Sequence, residues 1–286
     1  MTMYQNTSLI IEGGTFRTIY STGVLDVFID EGIEFPYVVG ISAGAVNACT
    51  YVAKQKERPY RVIANYRHDK RYMSLRNYVK EGSYFGLDFA YNVLVNELDP
   101  FDWESYAKYD GEIELGVTNA LTGEIEFLDA LQMDRECTML RATCALPIIF
   151  PEIKINNIPY YDGGLADPIP VSRAEEKGYE KHVFVLTRPK GYRKKIDRQS
   201  KWTSRLYKRK YPKLANRVLD RVESYNKTMD YIEQLEDEGK AFVFRPEFPL
   251  NSFEKDTIQM KRSYEMGLDL SRRNIKELKK FLAGNV

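Results

Sequence analysis

The sequence predicts an α/β protein built on a mostly parallel central sheet, and three observations carry that reading. Two short apolar runs, Ser8-Leu9-Ile10-Ile11-Glu12 and Tyr37-Val38-Val39, show no alternation with polar residues, the pattern of strands covered on both faces. Each leads through glycines into a helical pattern, so the order is strand, loop, helix, strand, turn, helix, which requires parallel strands joined by crossover helices. The 286 residues are 43% hydrophobic and 29% charged, enough for a full core, with no internal repeat and no low-complexity linker.

Along the chain, residues 8–12 form the first strand, and residues 17–31 a helix with Ile19, Val24, Leu25, Val27, Phe28 and Ile29 at helical spacing. Residues 36–41 are the second strand and 42–54 the second helix. Glu112–Ala120 and Glu124–Leu128 flank Leu121-Thr122-Gly123 as a hairpin, and Ile153–Ile155 and Ile158–Tyr161 bracket the turn Asn156-Asn157. Asp134–Thr143 reads as a helix stopped before Pro147, and Val183–Leu186 as another buried strand. Then come an amphipathic helix carrying Val218, Leu219, Val222, Tyr225, Met229, Ile232 and Leu235, a strand at Ala241–Phe244, and a helix over 256–282. The expected organisation is a sheet-bearing unit over 7–187 and an extension over 188–286, with a basic segment, helices and one strand, packed on the first.

Gly40-Ile41-Ser42-Ala43-Gly44 places a serine at the apex of a strand-to-helix turn. A turn this sharp strains the serine backbone and needs small neighbours, which Gly40, Ala43 and Gly44 supply; the hydroxyl is left exposed beside the unpaired amides of a helix N-terminus. Glu12-Gly13-Gly14-Thr15-Phe16-Arg17, at the end of the first strand, lets backbone amides accept an anion. An acyl-transfer site needs such donors for its oxyanion; the nucleotide-binding patterns G-x-G-x-x-G and the Walker lysine are absent. Arg17 opposes the dipole of the helix it opens, which implies a fixed partner.

A serine nucleophile needs a base, and histidine is the usual one. The chain has only His68, among Arg67, Asp69, Lys70 and Arg71, and His182, before the strand Val183–Leu186. Active groups of parallel sheets lie at the carboxyl ends of strands, which sets His182 on the wrong side. Tyr161-Asp162-Gly163-Gly164 then offers a carboxylate, Asp162, in a turn.

The glycine loop with its basic residue, the G-x-S-x-G turn and the later D-G-G, in this order, resemble the patatin-like phospholipase family over residues 7–187, and Leu146-Pro147 and Asp162–Val171 are similar to it as well. The tail, with Phe244-Arg245-Pro246 and Ser263-Tyr264-Glu265-Met266-Gly267, looks like the extension of a bacterial subgroup. The resemblance implies a three-layer α/β sandwich and a Ser-Asp dyad without metal or cofactor. Ser42 would attack the carbonyl of a lipid or lipid-like ester, Asp162 would take its proton and later activate water, and Gly13, Gly14 and Thr15 would hold the oxyanion, with Arg17, Gly40, Gly44, Gly163 and Gly164 in support. The family loop is D-G-G-G-x-R-G; here Glu12, Thr15 and Thr18 stand at the leading Asp, third Gly and last Gly. A β-branched residue at position 15 is strained if the loop needs positive φ there.

Charge says where partners lie. From Arg188 to Arg217 there are thirteen Lys or Arg and one acid, Asp197, a charge of +12 that leaves −11 on the remainder of a chain whose total is +1. With Tyr192, Trp202, Tyr207 and Tyr211 interleaved, residues 188–217 read either as a solvated surface paired with the acidic remainder or as a peripheral contact for an anionic membrane. No recognition motif accompanies them, so nucleic acid is not the expected partner. Ser83–Tyr91 reads as aromatic core, or as a lid or acyl-chain wall. Cys49, Cys137 and Cys144 fit reduced core thiols, no Cys/His spacing suggests zinc, and no signal or membrane-spanning run is visible, so the expected location is the cytoplasm, with peripheral contact at the inner membrane face. Two other readings remain open: an esterase or acyltransferase using a Ser-His pair, and a catalytically weak or inactive anionic-membrane-binding protein whose oxyanion loop Thr15 has spoiled.

Overall fold

The computed structural model describes residues 2–284. Ten strands run along the chain: β1 (Thr2–Met3), β2 (Thr7–Ile11), β3 (Ile33–Glu34), β4 (Tyr37–Ile41), β5 (Glu112–Asn119), β6 (Ile125–Asp129), β7 (Ile153–Ile155), β8 (Ile158–Asp162), β9 (Lys181–Val185) and β10 (Ala241–Phe244). β1 and β3 form a small two-stranded sheet; the rest form one eight-stranded sheet in the order β10-β9-β2-β4-β5-β8-β7, with β6 also on β5. From β10 to β5 all pairings are parallel, and β6, β8 and β7 pair antiparallel. The helices are α1 (Ile19–Asp30), α2 (Ala43–Val52), α3 (Arg58–Tyr66), α4 (Leu75–Glu81), α5 (Trp103–Ala107), α6 (Thr138–Thr143), α7 (Val171–Glu176), α8 (Arg198–Tyr207), α9 (Pro212–Asp237) and α10 (Thr257–Leu282).

Alternation along the strands divides the core into two layers. Leu9, Ile11, Val38, Leu115, Val183 and Val185 pack with α1, α2 and α10, while Ile10, Val39, Phe184 and Leu186 pack with Val171 of α7 and Tyr225, Met229 and Ile232 of α9. Successive strand side chains point to opposite faces, so a fully buried parallel strand needs a helical layer on each. The result is the three-layer α/β sandwich expected from the sequence. Among the described residues no helix is long and apolar enough to cross a membrane.

Several details have local causes. The turn between β7 and β8 is Asn156-Asn157, both left-handed at φ 51° and 65°, a conformation asparagine tolerates better than most residues. The helix expected over 134–143 starts only at Thr138, because Cys137 sits at φ 54° and breaks the ladder. The helix expected from residue 17 opens with a tighter 3-10 turn, Thr15–Thr18. The sheet also extends past the unit expected over 7–187, since β10 pairs in register with β9, Phe242 opposite Val183.

The chain from residue 188 onward packs on the residues before it through a helix crossing of close approach. α10 crosses α1 at Gly267 and Gly23: a Cβ on Gly267 would sit 2.2 Å from the Tyr20 carbonyl oxygen, and one on Gly23 2.2 Å from that of Tyr264. Beside the crossing, the Tyr264 hydroxyl donates to Asp26 at 2.8 Å. Gly267→Ala therefore drives the helices apart and is expected to cost about 2 kcal/mol or more. A melting temperature within a degree of wild type would show that the crossing relaxes freely.

Candidate active site

β5 brings the two predicted reactive residues together. Val117 pairs with Asp162 on β8 and with Glu126 on β6, so β8 and β6 lie on opposite edges of β5. Glu114 and Gly116 pair with both β6 and β4, so β4 shares the edge of β8. One strand ends where the other begins: Ile41 lies opposite Gly116 and Asp162 opposite the next residue, Val117. Ser42 leaves the sheet at that junction.

Ser42 has φ 55° and ψ −131°, a region that costs a non-glycine residue of order 1–3 kcal/mol. Its amide donates to Thr143 Oγ1 at 2.9 Å, and the Thr143 hydroxyl donates to the Gly116 carbonyl at 2.6 Å, so one side chain ties the turn to β5. Close approach explains the small neighbours. A Cβ on Gly40 would lie 2.6 Å from Ala45 Cα, one on Gly44 2.5 Å from the Ile11 carbonyl oxygen, and one on Gly163 2.2 Å from that of Gly116.

Asp162 is buried. Its Oδ1 accepts from the Gly164 amide at 2.8 Å, its backbone carbonyl accepts from Thr118 Oγ1 at 2.8 Å, and its Oδ2 has no partner among the described residues. Burial raises its pKa above the ordinary carboxylate range; the Ser42 hydroxyl, the Gly164 amide and the charges of Arg221 and Lys194 oppose that rise. The Ser42 hydroxyl thus lies near enough to favour the ionised carboxylate, although no hydrogen bond to Oδ2 closes within ordinary limits.

Across the cavity, Gly13, Gly14 and Thr15 line the wall facing Ser42, and none of their amides is paired among the described residues. Thr15 does take positive φ, 52°, where the sequence placed strain on a β-branched residue. A distant segment holds it: the Thr15 hydroxyl lies within reach of the Gly14 and Ser252 carbonyl oxygens, and the Phe16 amide donates to Ser252 O at 3.2 Å. Arg17 has the fixed partners its position implied, and they are neutral: Thr187 Oγ1 at 3.2 Å, the Ser252 hydroxyl and the Gly13 carbonyl. Burial lowers its pKa. Glu12 turns away from the serine, accepting from the Thr187 amide and hydroxyl at 2.6 and 3.0 Å and from the Tyr225 hydroxyl at 3.2 Å.

Two cavities meet at Ser42. One, of about 300 Å³, is polar and lined by Asp162, the glycine loop, Arg17, Arg188, Lys194 and Arg221. The other, of about 140 Å³, is walled by apolar side chains including Val62, Ile63, Phe85, Tyr91, Leu94 and Phe150. Thr15, Ser42 and Leu146 border both. The aromatic stretch 83–91 thus supplies core, with Phe85, Leu87 and Phe89 buried, and part of this wall.

Neither histidine borders either cavity. His182 is buried, paired with the Ser8 hydroxyl at 2.8 Å, and pushed down to about 4 by desolvation. Ser8 lies opposite Tyr37, five residues before Ser42, so His182 sits about 15 Å down the sheet. His68 lies past the end of α3, exposed, with Nε2 2.9 Å from the Lys255 carbonyl. Cys49 and Cys137 are buried free thiols; Cys144 is half-buried beside Ser42, with its pKa pushed up to about 12 by burial. Among the described residues no group of three or more His, Cys, Asp or Glu could hold a metal. Thr143, Thr187, Ser252, Lys194 and Arg221 are site residues that no sequence motif marked.

The family model described as patatin-like phospholipase matches residues 9–174, and a domain family of unknown function (DUF6363) matches 211–283. The chain is 26% identical over 259 residues to Uncharacterized protein YjjU of Escherichia coli K12, covering 86% of this chain and 70% of that protein. Among solved structures, VipD from Legionella pneumophila aligns over 98% of this chain and 67% of its own with a TM-score of 0.49 at 11% identity. With the family model spanning more than half of the sequence and its glycine loop, serine turn and Asp-Gly-Gly gathered around one cavity, this chain belongs to the patatin-like phospholipase family.

Proposed function

We propose that the protein is a serine acyl hydrolase of lipid or lipid-like carboxylic esters, with Ser42 as nucleophile and Asp162 as its base. The observation that carries the reading is the buried, unpartnered Oδ2 of Asp162 one strand position from the strained Ser42 turn. Ser42 Oγ attacks the ester carbonyl while Asp162 takes its proton, and the tetrahedral oxyanion is stabilised by the amides of Gly13, Gly14 and Thr15, donors typically worth ~3 kcal/mol each. The proton passes to the leaving alcohol. Water, deprotonated by the same carboxylate, then attacks the acyl carbon, and the proton passes from Asp162 to Ser42 Oγ as the acid leaves. Burial suits Asp162 to this work, since a carboxylate with a raised pKa is a stronger base. The apolar cavity takes the acyl chain, and the polar one takes the alcohol side of the ester. Hydrolysis of phospholipids, lysophospholipids or simpler esters all fits this chemistry.

The same reading includes peripheral contact with an anionic membrane through residues 188–217. Part of the charge there is spent internally, Arg193 on Asp230 and Glu233, Lys210 on Glu152, Arg217 on Glu124. On α8, Arg198, Lys201 and Arg205 have no acidic partner among the described residues, beside Trp202 and Leu206, each 55% exposed. Gln199, Ser200 and Thr203 of the same helix border the polar cavity, so a docked α8 sets its mouth against the lipid.

Ser42→Ala and Asp162→Asn are each expected to lower kcat/KM on a short-chain ester by at least about 10³-fold. A fluorophosphonate is expected to add once to wild type, by intact mass, and not to Ser42→Ala. No adduct on folded wild type would favour the inactive membrane-binding reading. A Ser-His pair instead requires His68→Ala or His182→Ala to be inactive.

Asp162 also makes stability depend on pH. Its pKa is higher folded than unfolded, so its contribution is fully present below the ordinary carboxylate range and is lost as pH rises through the folded value. Asp162→Asn is therefore expected to melt above wild type at pH 8, a gain that shrinks toward pH 4. A gain independent of pH would mean that Asp162 is not strained by ionisation.

Sedimentation with vesicles containing 30% anionic lipid is expected to pull down wild type at low salt, and to do so at least about five-fold less well for Trp202→Ser/Leu206→Ser, or in 0.5 M salt. Binding indifferent to both would leave 188–217 as solvated surface.

A further inference from the structure

The polar cavity beside Ser42 carries more cationic charge than a neutral ester requires. Arg17, Arg188, Lys194 and Arg221 all border it, from four places in the chain: the first helical turn, three residues past the end of β9, the loop that follows, and α9. Among the described residues none of the four is in an ion pair. Three acids share the wall and accept from neutral donors: Glu12 from Thr187 and Tyr225, Asp162 Oδ1 from the Gly164 amide, and Asp197 from the Ser200 amide at the start of α8, so four cations face three carboxylates.

What holds the cations is aromatic and neutral. The Lys194 ammonium lies 4.0 Å from the centre of the Tyr225 ring, and the Arg188 guanidinium 4.6 Å from that of Tyr192. The two tyrosines meet edge to face at 6.1 Å. Asn226 clamps the loop from both sides, its Oδ1 accepting from the Lys194 amide at 2.7 Å and its Nδ2 donating to the Lys194 carbonyl at 3.1 Å. Ring faces position a cation and leave its charge uncancelled. Arg188 Nε is buried without a hydrogen-bond partner. The four cations outnumber the three carboxylates and none is in an ion pair among the described residues, an arrangement that is costly unless an anion completes it.

We propose that Arg188, Lys194 and Arg221, with Arg17 behind them, form a subsite for the phosphate monoester head of an acyl ester, so that the substrate class is a glycerol ester bearing a terminal, dianionic phosphate. This rests on the hydrolase reading above and narrows it. The geometry is consecutive: the acyl chain lies in the apolar cavity, the carbonyl at Ser42, and the phosphate on the cationic wall, with Arg presenting paired donors to its oxygens. A choline or ethanolamine head would bring its own cation to a wall where four cations already outnumber three carboxylates, so zwitterionic lipids are disfavoured. Lys194 supports the reading. Desolvation, then Arg221, pushes its pKa down to about 7, and an arriving dianion restores the proton.

The test measures binding apart from turnover. Calorimetry on Ser42→Ala, in neutral detergent, compares 1-oleoylglycerol 3-phosphate, 1-oleoylglycerol, 1-oleoylglycerol 3-phosphocholine and inorganic phosphate. The phosphate monoester is expected to bind at least ten-fold tighter than both other lipids, and Arg188→Gln/Arg221→Gln, introduced into the same protein, to cut that advantage below three-fold. Arg221→Lys is expected to recover part of it, and thermal melts check that each variant is folded. Equal affinity for the three lipids, or an advantage that survives the double variant, overturns the proposal. Inorganic phosphate binding as tightly as the lipid monoester also overturns it, and makes the cluster a free-phosphate site. Turnover on wild type is read separately, as the ratio of kcat/KM for the phosphate ester to that for the neutral one; the ratio cancels any effect of Arg221 on Asp162, which both esters share. Failure of wild type to cleave either ester sinks the hydrolase reading alone, because the binding comparison still answers for the subsite.

Discussion

The site depends on one edge of one strand. β5 is eight residues long, and its edge is shared by β4 for the first part of its length and by β8 for the remainder. The changeover between Gly116 and Val117 is where Ile41 ends its pairing and Asp162 takes up its own. Two segments separated by about 120 positions are thereby held at adjacent rungs of a hydrogen-bonded ladder, which fixes them far better than contacts between loops would. Gly116 belongs to this arrangement as much as the two reactive residues do. Its carbonyl accepts from Thr143, its backbone lies against Gly163, and a Cβ on it would sit 2.2 Å from Ile41 Cδ1.

Strain collects on either side of that junction. Ser42 and Thr15 both hold positive φ without being glycine, and both are held by hydrogen bonds from elsewhere: Ser42 by Thr143 at its amide, and Thr15 by Ser252 at its hydroxyl. A local conformation of a few kcal/mol persists only where the surroundings over-determine it. The surroundings here include the last hundred residues. β10 extends the sheet beyond β9, α9 covers one face and gives Tyr225 to Glu12, and α10 crosses α1 through two glycines. The chain beyond residue 188 is thus part of what shapes the site.

What could be read in the sequence is what depends on short patterns. The serine turn, the glycine loop, the Asp-Gly-Gly and the Asn156-Asn157 hairpin each need particular residues within a few positions, so their chemistry shows in one line of text. The substitution of Thr15 for a glycine likewise announced its own strain. Thr143, Thr187 and Ser252 gave no such sign: each is a single hydroxyl whose partner lies 101, 175 or 237 positions away. The +12 segment was visible as a charge but not as a surface, because Arg193, Lys210 and Arg217 pair with distant acids while Arg188 and Lys194 turn to the cavity. Residues 55–107 were marked in the sequence only by His68 and the aromatic run Ser83–Tyr91. They form short helices and a ten-residue π-helix, Phe89–Leu98, whose i→i+5 bonding does not match a 3.6-residue repeat.

Ser252 carries one more consequence, in time rather than space. Its carbonyl and hydroxyl hold Thr15, Phe16 and Arg17 in the shape that lines the cavity. During synthesis the glycine loop and the serine turn leave the ribosome before Asp162, which follows more than a hundred residues later, and Ser252 emerges some ninety residues after that. Since domains generally fold as units, the strained loop has nothing to hold it until Ser252 has emerged. The geometry seen here is completed by a segment 237 positions behind Thr15, so a growing chain carries its serine unfinished.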